Sequence, residues 1–126
     1  MLKFAIVGTG IIANRHIEAI NSLDGVKLVA VCDINEEKAK QYSENCGVPF
    51  ALDYKELPEK FDFDAVILNL PHSLHCEATE FFLNSGKHVL VEKPMANTVE
   101  ECERMIKAAN RSGKKLGIAQ PTLHAW

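Results

Sequence analysis

The chain has 126 residues, 47% of them hydrophobic and 25% charged, with a formal net charge of -3. That is the length and balance of one globular domain able to bury a core of its own. Its lysines and arginines are scattered among the acids, which argues against nucleic acid or an anionic membrane as partner, and no apolar run reaches the roughly 20 residues a membrane helix needs.

Leu2 to Val7 is a nearly continuous apolar run ending at Gly8, the pattern of a strand covered on both faces. Ile11, Ile12, Ile17, Ala19, Ile20 and Leu23 then recur at helical spacing until Asp24-Gly25 stops them. Val26 to Cys32 reads as a second strand, Glu36 to Asn45 as a helix ending at Cys46-Gly47, and Val48 to Leu52 as a short strand before an irregular stretch around Pro58. Ala65 to Leu70 is a strongly apolar strand halted by Pro71. Cys76 to Asn84 is helical, with Gly86 as its cap. After a strand from His88 to Val91, Thr98-Val99-Glu100-Glu101 is a capping box. The helix it opens presents Cys102, Met105, Ile106 and Ala109 as a core stripe and stops at Gly113, and Leu116 to Ala119 is a last strand.

Strands alternating with helices imply an α/β fold: a doubly wound parallel sheet with helices on both faces, of the Rossmann dinucleotide-binding type. Ligands bind such sheets beyond the carboxyl ends of the strands, so the residues just after each strand are the candidates for chemistry. The first strand runs directly into Gly8-Thr9-Gly10-Ile11-Ile12-Ala13, a G-x-G-x-x-A pattern. Gly8 permits the tight turn, Gly10 leaves room for a pyrophosphate, and Ala13 lets helix and strand approach. The helix N-terminus at Ile11 and Ile12 offers backbone N–H groups to the phosphates. Asp33, 20 residues after Ala13 and at the end of the second strand, can accept both ribose hydroxyls of adenosine. Its carboxylate would repel a 2′-phosphate, which favours NAD over NADP as the cofactor.

Other clusters carry less. His72, His75 and Cys76 lie close together, but no second ligand pair has metal-site spacing, so no metal is expected. Cys32, Cys46, Cys76 and Cys102 are dispersed with no C-x-x-C pair, and the chain enters a strand directly after Met1. Reduced thiols and a cytoplasmic location are expected.

The run Gly8 to His16 resembles the start of the glucose–fructose oxidoreductase / inositol dehydrogenase / rhizopine-catabolism (Gfo/Idh/MocA) family. Val29-Ala30-Val31-Cys32-Asp33 is similar to its second strand, Asn69-Leu70-Pro71-His72-Ser73-Leu74-His75 to its segment after the fourth, and Glu92-Lys93-Pro94 to its E-K-P signature after the fifth. The resemblance implies hydride transfer between a nicotinamide ring and a hydroxyl-bearing carbon of a sugar, polyol or related compound. It implies that Lys93 sits beside nicotinamide and substrate as the catalytic lysine, that Glu92 lies near the nicotinamide riboside, and that Asn69, Pro71 and His75 belong to the loop lining the cofactor cleft.

Members of that family are generally more than twice this length, and a second domain completes their site. The expectation is therefore a dinucleotide-binding domain over residues 1–120, with 121–126 beginning the crossover to a substrate and oligomerisation domain outside this chain. The full-length form would be a homo-oligomer. Gln120 to His124 is not the arginine-containing run that the family pattern leads one to expect. With one wall of the site missing, the chain alone is expected to bind cofactor without efficient turnover. The alternative is a non-catalytic nucleotide sensor, which would need the glycine loop and Asp33 but has no use for Lys93. Short-chain dehydrogenases need Y-x-x-x-K, and neither Tyr42 nor Tyr54 has it.

Overall fold

The computed structural model describes residues 2–8, 11–91 and 98–118. Among them six strands form one parallel sheet: β1 (Leu2–Val7), β2 (Val26–Cys32), β3 (Phe50–Ala51), β4 (Ala65–Leu68), β5 (His88–Val91) and β6 (Leu116–Ile118). Their order is β3-β2-β1-β4-β5-β6, so the winding direction reverses between β1 and β4. The helices are α1 (Ile11–Ser22), α2 (Glu36–Cys46), the short α3 (Leu57–Lys60), α4 (His72–Asn84) and α5 (Val99–Ser112). The expected doubly wound architecture is the observed one.

The period-2 alternation of β1 divides the core. Ala5 and Val7 face a cluster built with Phe82 and Leu83 of α4 and Met105 and Ala108 of α5. Phe4 and Ile6 face the opposite cluster, where Ala13 and Ile20 of α1 are buried. This two-sided burial is why residues 4–7, 65–68 and 89–91 are unbroken apolar runs.

Local signals end the helices as the sequence implies. Gly47 and Gly113 take left-handed conformations after α2 and α5. Gly86 does so after α4, where its N–H bonds Leu83 O at 3.0 Å and the next amide bonds Phe82 O at 3.0 Å, the two closures of a Schellman turn. The Thr98 hydroxyl accepts from Glu101 N at 3.1 Å, which caps α5.

Four expectations need correction. β3 is two residues rather than five, because Phe50 and Ala51 alone pair with β2 at the sheet edge. The stretch around Pro58 is ordered: a 3-10 turn (Tyr54–Glu56) runs into α3, whose first turn tolerates proline because its N–H would be unused there. Tyr54 packs its ring 5.7 Å from Phe81 and 5.6 Å from Phe82, fixing that turn on α4. α4 starts at His72, four residues before the expected Cys76. Ile106 is 50% exposed, not core; Met105 and Ala108 define the buried arc of α5, and at about 100° per residue position 106 is rotated off it.

Candidate cofactor site

The strand register builds the site. Val7 stands beside Cys32 on one side and Leu68 on the other, so the next residues, Gly8, Asp33 and Asn69, emerge together at the carboxyl edge on either side of the switch point. Their backbone amides continue the ladder: Gly8 N bonds Cys32 O at 2.8 Å, Asp33 N bonds Ala51 O at 3.2 Å, and Asn69 N bonds Val7 O at 2.7 Å. The three positions therefore sit on rigid sheet rather than on free loop.

Gly8 is required twice over. Its φ of +89° is costly for any residue with a Cβ, and a Cβ there would lie 2.4 Å from the backbone oxygen of Asn69. The first glycine of the fingerprint thus makes the turn and also lets the β4–α4 loop close on it. The Asn69 side chain spans the same junction, with Nδ2 3.5 Å from Gly8 O, while its Oδ1 is buried without a hydrogen-bond partner among the described residues. A buried acceptor left in this state suits a donor arriving with a ligand.

These residues line a cleft of about 420 Å³, within the size range of small-molecule sites. Gly8, Asp33, Asn69 and Pro71 are all in its wall. Asp33 is half-buried, and its Oδ1 accepts from Asn35 N at 2.8 Å. Asn35 in turn caps α2 by accepting from Lys38 N at 3.1 Å. His75 lies elsewhere: it is fully buried in the first turns of α4, with Nε2 2.9 Å from Leu70 O, behind the wall rather than in it. Ile11 and Ile12 form the first turn of α1. Gly10, Glu92 and Lys93 lie outside the described residues. No group of three or more potential metal ligands occurs among the described residues. No helix among them is long and apolar enough to cross a membrane.

The wall also contains residues the sequence reading passed over. Ile34 and Leu52 follow strands β2 and β3, where the carboxyl-edge rule points. Leu74, Tyr54 and Lys38 come from neighbouring helical turns, and only the folded chain brings them there. Ile34 is an apolar side chain that is 90% exposed. Cys32, at the cleft floor, has its thiol pushed up to about 12 by burial and by the negative charges of Asp33, Asp53 and Glu56, so it is a neutral thiol at physiological pH.

Comparison with known proteins agrees with this geometry. Residues 2–120 match the oxidoreductase family described as an NAD-binding Rossmann fold, GFO_IDH_MocA. The chain is 37% identical over 123 residues to scyllo-inositol 2-dehydrogenase (NADP(+)) IolU of Bacillus subtilis, covering 97% of this chain and 38% of that one. It is 34% identical over 118 residues to inositol 2-dehydrogenase of Salmonella typhimurium, covering 91% and 35%. Among solved structures, the WlbA dehydrogenase from Bordetella pertussis, in complex with NADH and UDP-GlcNAcA, superposes with a TM-score of 0.89 at 33% identity, covering 94% of this chain and 36% of that one. The chain thus spans little more than a third of the length of the proteins it matches. By its matched sequence and its sheet order, it belongs to the Gfo/Idh/MocA oxidoreductase family and carries that family's NAD-binding Rossmann domain.

Proposed function

We propose that this chain is the cofactor-binding part of an oxidoreductase that transfers hydride between a nicotinamide cofactor and a sugar, polyol or related hydroxy compound. The observation that carries the reading is the register that sets Gly8, Asp33 and Asn69 side by side in one cleft at the switch point. In this reading Gly8, Gly10 and the first turn of α1 at Ile11 and Ile12 receive the pyrophosphate. Asp33 accepts the adenosine ribose hydroxyls, and Ile34, Leu52 and Leu74 supply apolar surface for the adenine. Asn69 and Pro71 form the opposite wall, and Glu92 approaches the nicotinamide riboside. The nicotinamide supplies the hydride donor or acceptor. Lys93 holds the reacting hydroxyl and polarises its oxygen.

NAD is the preferred cofactor, because the Asp33 carboxylate opposes a 2′-phosphate. Relatives include both an NADP(+) enzyme by name and a structure holding NADH, so the choice is made locally. Residues 1–120 form the dinucleotide domain, and 121–126 lead toward a second domain that binds substrate and joins subunits into a homo-oligomer. A cytoplasmic location fits the four free thiols. The isolated chain binds cofactor but turns over little, since positioning of the reacting carbon is worth roughly 7–11 kcal/mol and needs the other wall.

Calorimetric titration of the chain with NAD and with NADP tests this. Saturable binding with NAD preferred is the expected result. Binding of neither would refute the assignment of the cleft.

A further inference from the structure

The β4–α4 loop forms one wall of the cleft, yet α4 begins without a capping side chain. Pro71 occupies the N-cap position and makes no side-chain hydrogen bond to the helix. A loop held only by a chain turn would leave the Asn69–Pro71 wall poorly fixed. His75 closes this gap. Its ring is fully buried, and Nε2 lies 2.9 Å from the carbonyl oxygen of Leu70, the residue between Asn69 and Pro71. A carbonyl only accepts, so Nε2 carries the proton and donates. Leu74 N, one residue earlier, bonds Pro71 O at 2.9 Å, so ring and backbone hold consecutive carbonyls of the same loop. The loop is held from its other side by the Asn69–Gly8 contact.

We propose that His75 is a positioning residue for the cofactor. It never meets the dinucleotide; it fixes the Leu70 carbonyl and so sets the Asn69–Pro71 wall against the glycine loop. This rests on the dinucleotide reading of the cleft.

The test uses the 126-residue chain and calorimetric NAD titration. His75→Leu removes the donor and should weaken NAD about three- to ten-fold, the loss of one hydrogen bond. His75→Gln places an amide N–H at a similar reach and should restore most of the affinity. Leu83→Val, buried on the same helix, loses only packing and should lower the melting temperature while leaving NAD affinity unchanged. Wild-type affinity in His75→Leu, or an equal loss in Leu83→Val, would overturn the proposal. A second readout needs no variant: the ring 15N shifts of His75 in the native chain should report a protonated Nε2, and a bare Nε2 would overturn it. Failure of the unaltered chain to bind NAD would instead remove the cofactor reading itself.

Discussion

Gly8→Ala separates two roles that one glycine fills. The left-handed backbone costs an added Cβ about 1–2 kcal/mol. That Cβ would also lie 2.4 Å from Asn69 O and 2.9 Å from its carbonyl carbon, both backbone atoms that cannot rotate away. Overpacking of this kind adds about 1–3 kcal/mol. A stiffer unfolded chain returns about 0.4–1 kcal/mol. The net is a loss of about 3 kcal/mol, or roughly 10 °C in melting temperature for a domain of this size. Gly47→Ala is the matched control: its φ is +69°, but nothing lies within 4 Å of the added Cβ. It should lose about 1 kcal/mol or less, a few degrees at most. Thermal unfolding of both variants, with NAD titration of each, decides the matter. Gly8→Ala should also lose most NAD binding, and Gly47→Ala should keep it. Equal melting temperatures would refute the claim that the β4–α4 loop packs directly on the first glycine.

Asp33→Ala should weaken NAD by about 1.5–3 kcal/mol through the loss of charged hydrogen bonds. NADP should lose less or gain, because Lys38 is left as a cation in the same cleft; equal losses in parallel titrations would contradict the ribose assignment. His88 has its pKa lowered by burial and then by Lys114 and Lys115, and its Nδ1 accepts from Lys115 N at 3.0 Å. Its contribution to stability is therefore present above the ordinary value of 6.5 and lost as pH falls below it, and the protection factor of the Lys115 amide, taken against its intrinsic exchange rate at each pH, should drop there. Cys32 behaves in the opposite sense: its pKa is raised from 9.0 to about 12, so stability should decline as pH rises across that interval, and Cys32→Ser should flatten the decline seen in denaturant titrations.

Where a residue's environment is set by its neighbours in sequence, the fold was legible. Val26–Cys32 and His88–Val91 match the expected strands, because the part of each that the sheet buries on both faces must be apolar, with Lys27 and His88 left toward the less buried end. Gly47, Gly113 and Thr98 announce helix ends because capping is chemistry within one turn. The start of α4 was hidden because Pro71 and a buried ring take the place of a capping Ser, Thr or Asp, and a histidine bonding backward to a loop carbonyl has no one-dimensional signature. Ile106 fits the i, i+3, i+4, i+7 stripe of Cys102, Met105 and Ala109 but lies at its edge, and the arc that α5 buries is shifted the other way, onto Met105 and Ala108. In the site, Gly8 and Asp33 follow from the fingerprint and its spacing, whereas Asn69 and Pro71 came from the family resemblance. Lys38, Tyr54 and Leu74 reach the cleft through the packing of separate elements, which only the folded chain specifies.

The most direct test of the cofactor cleft is a 1H–15N NMR titration of the chain with NAD. Shifts concentrated at Gly8, Asp33, Ile34 and Asn69, with His88 and Lys115 at the opposite end of the sheet unmoved, are the expected result. Saturable shifts centred elsewhere, or none at millimolar NAD, would contradict the placement of the dinucleotide at the β1–β4 switch point.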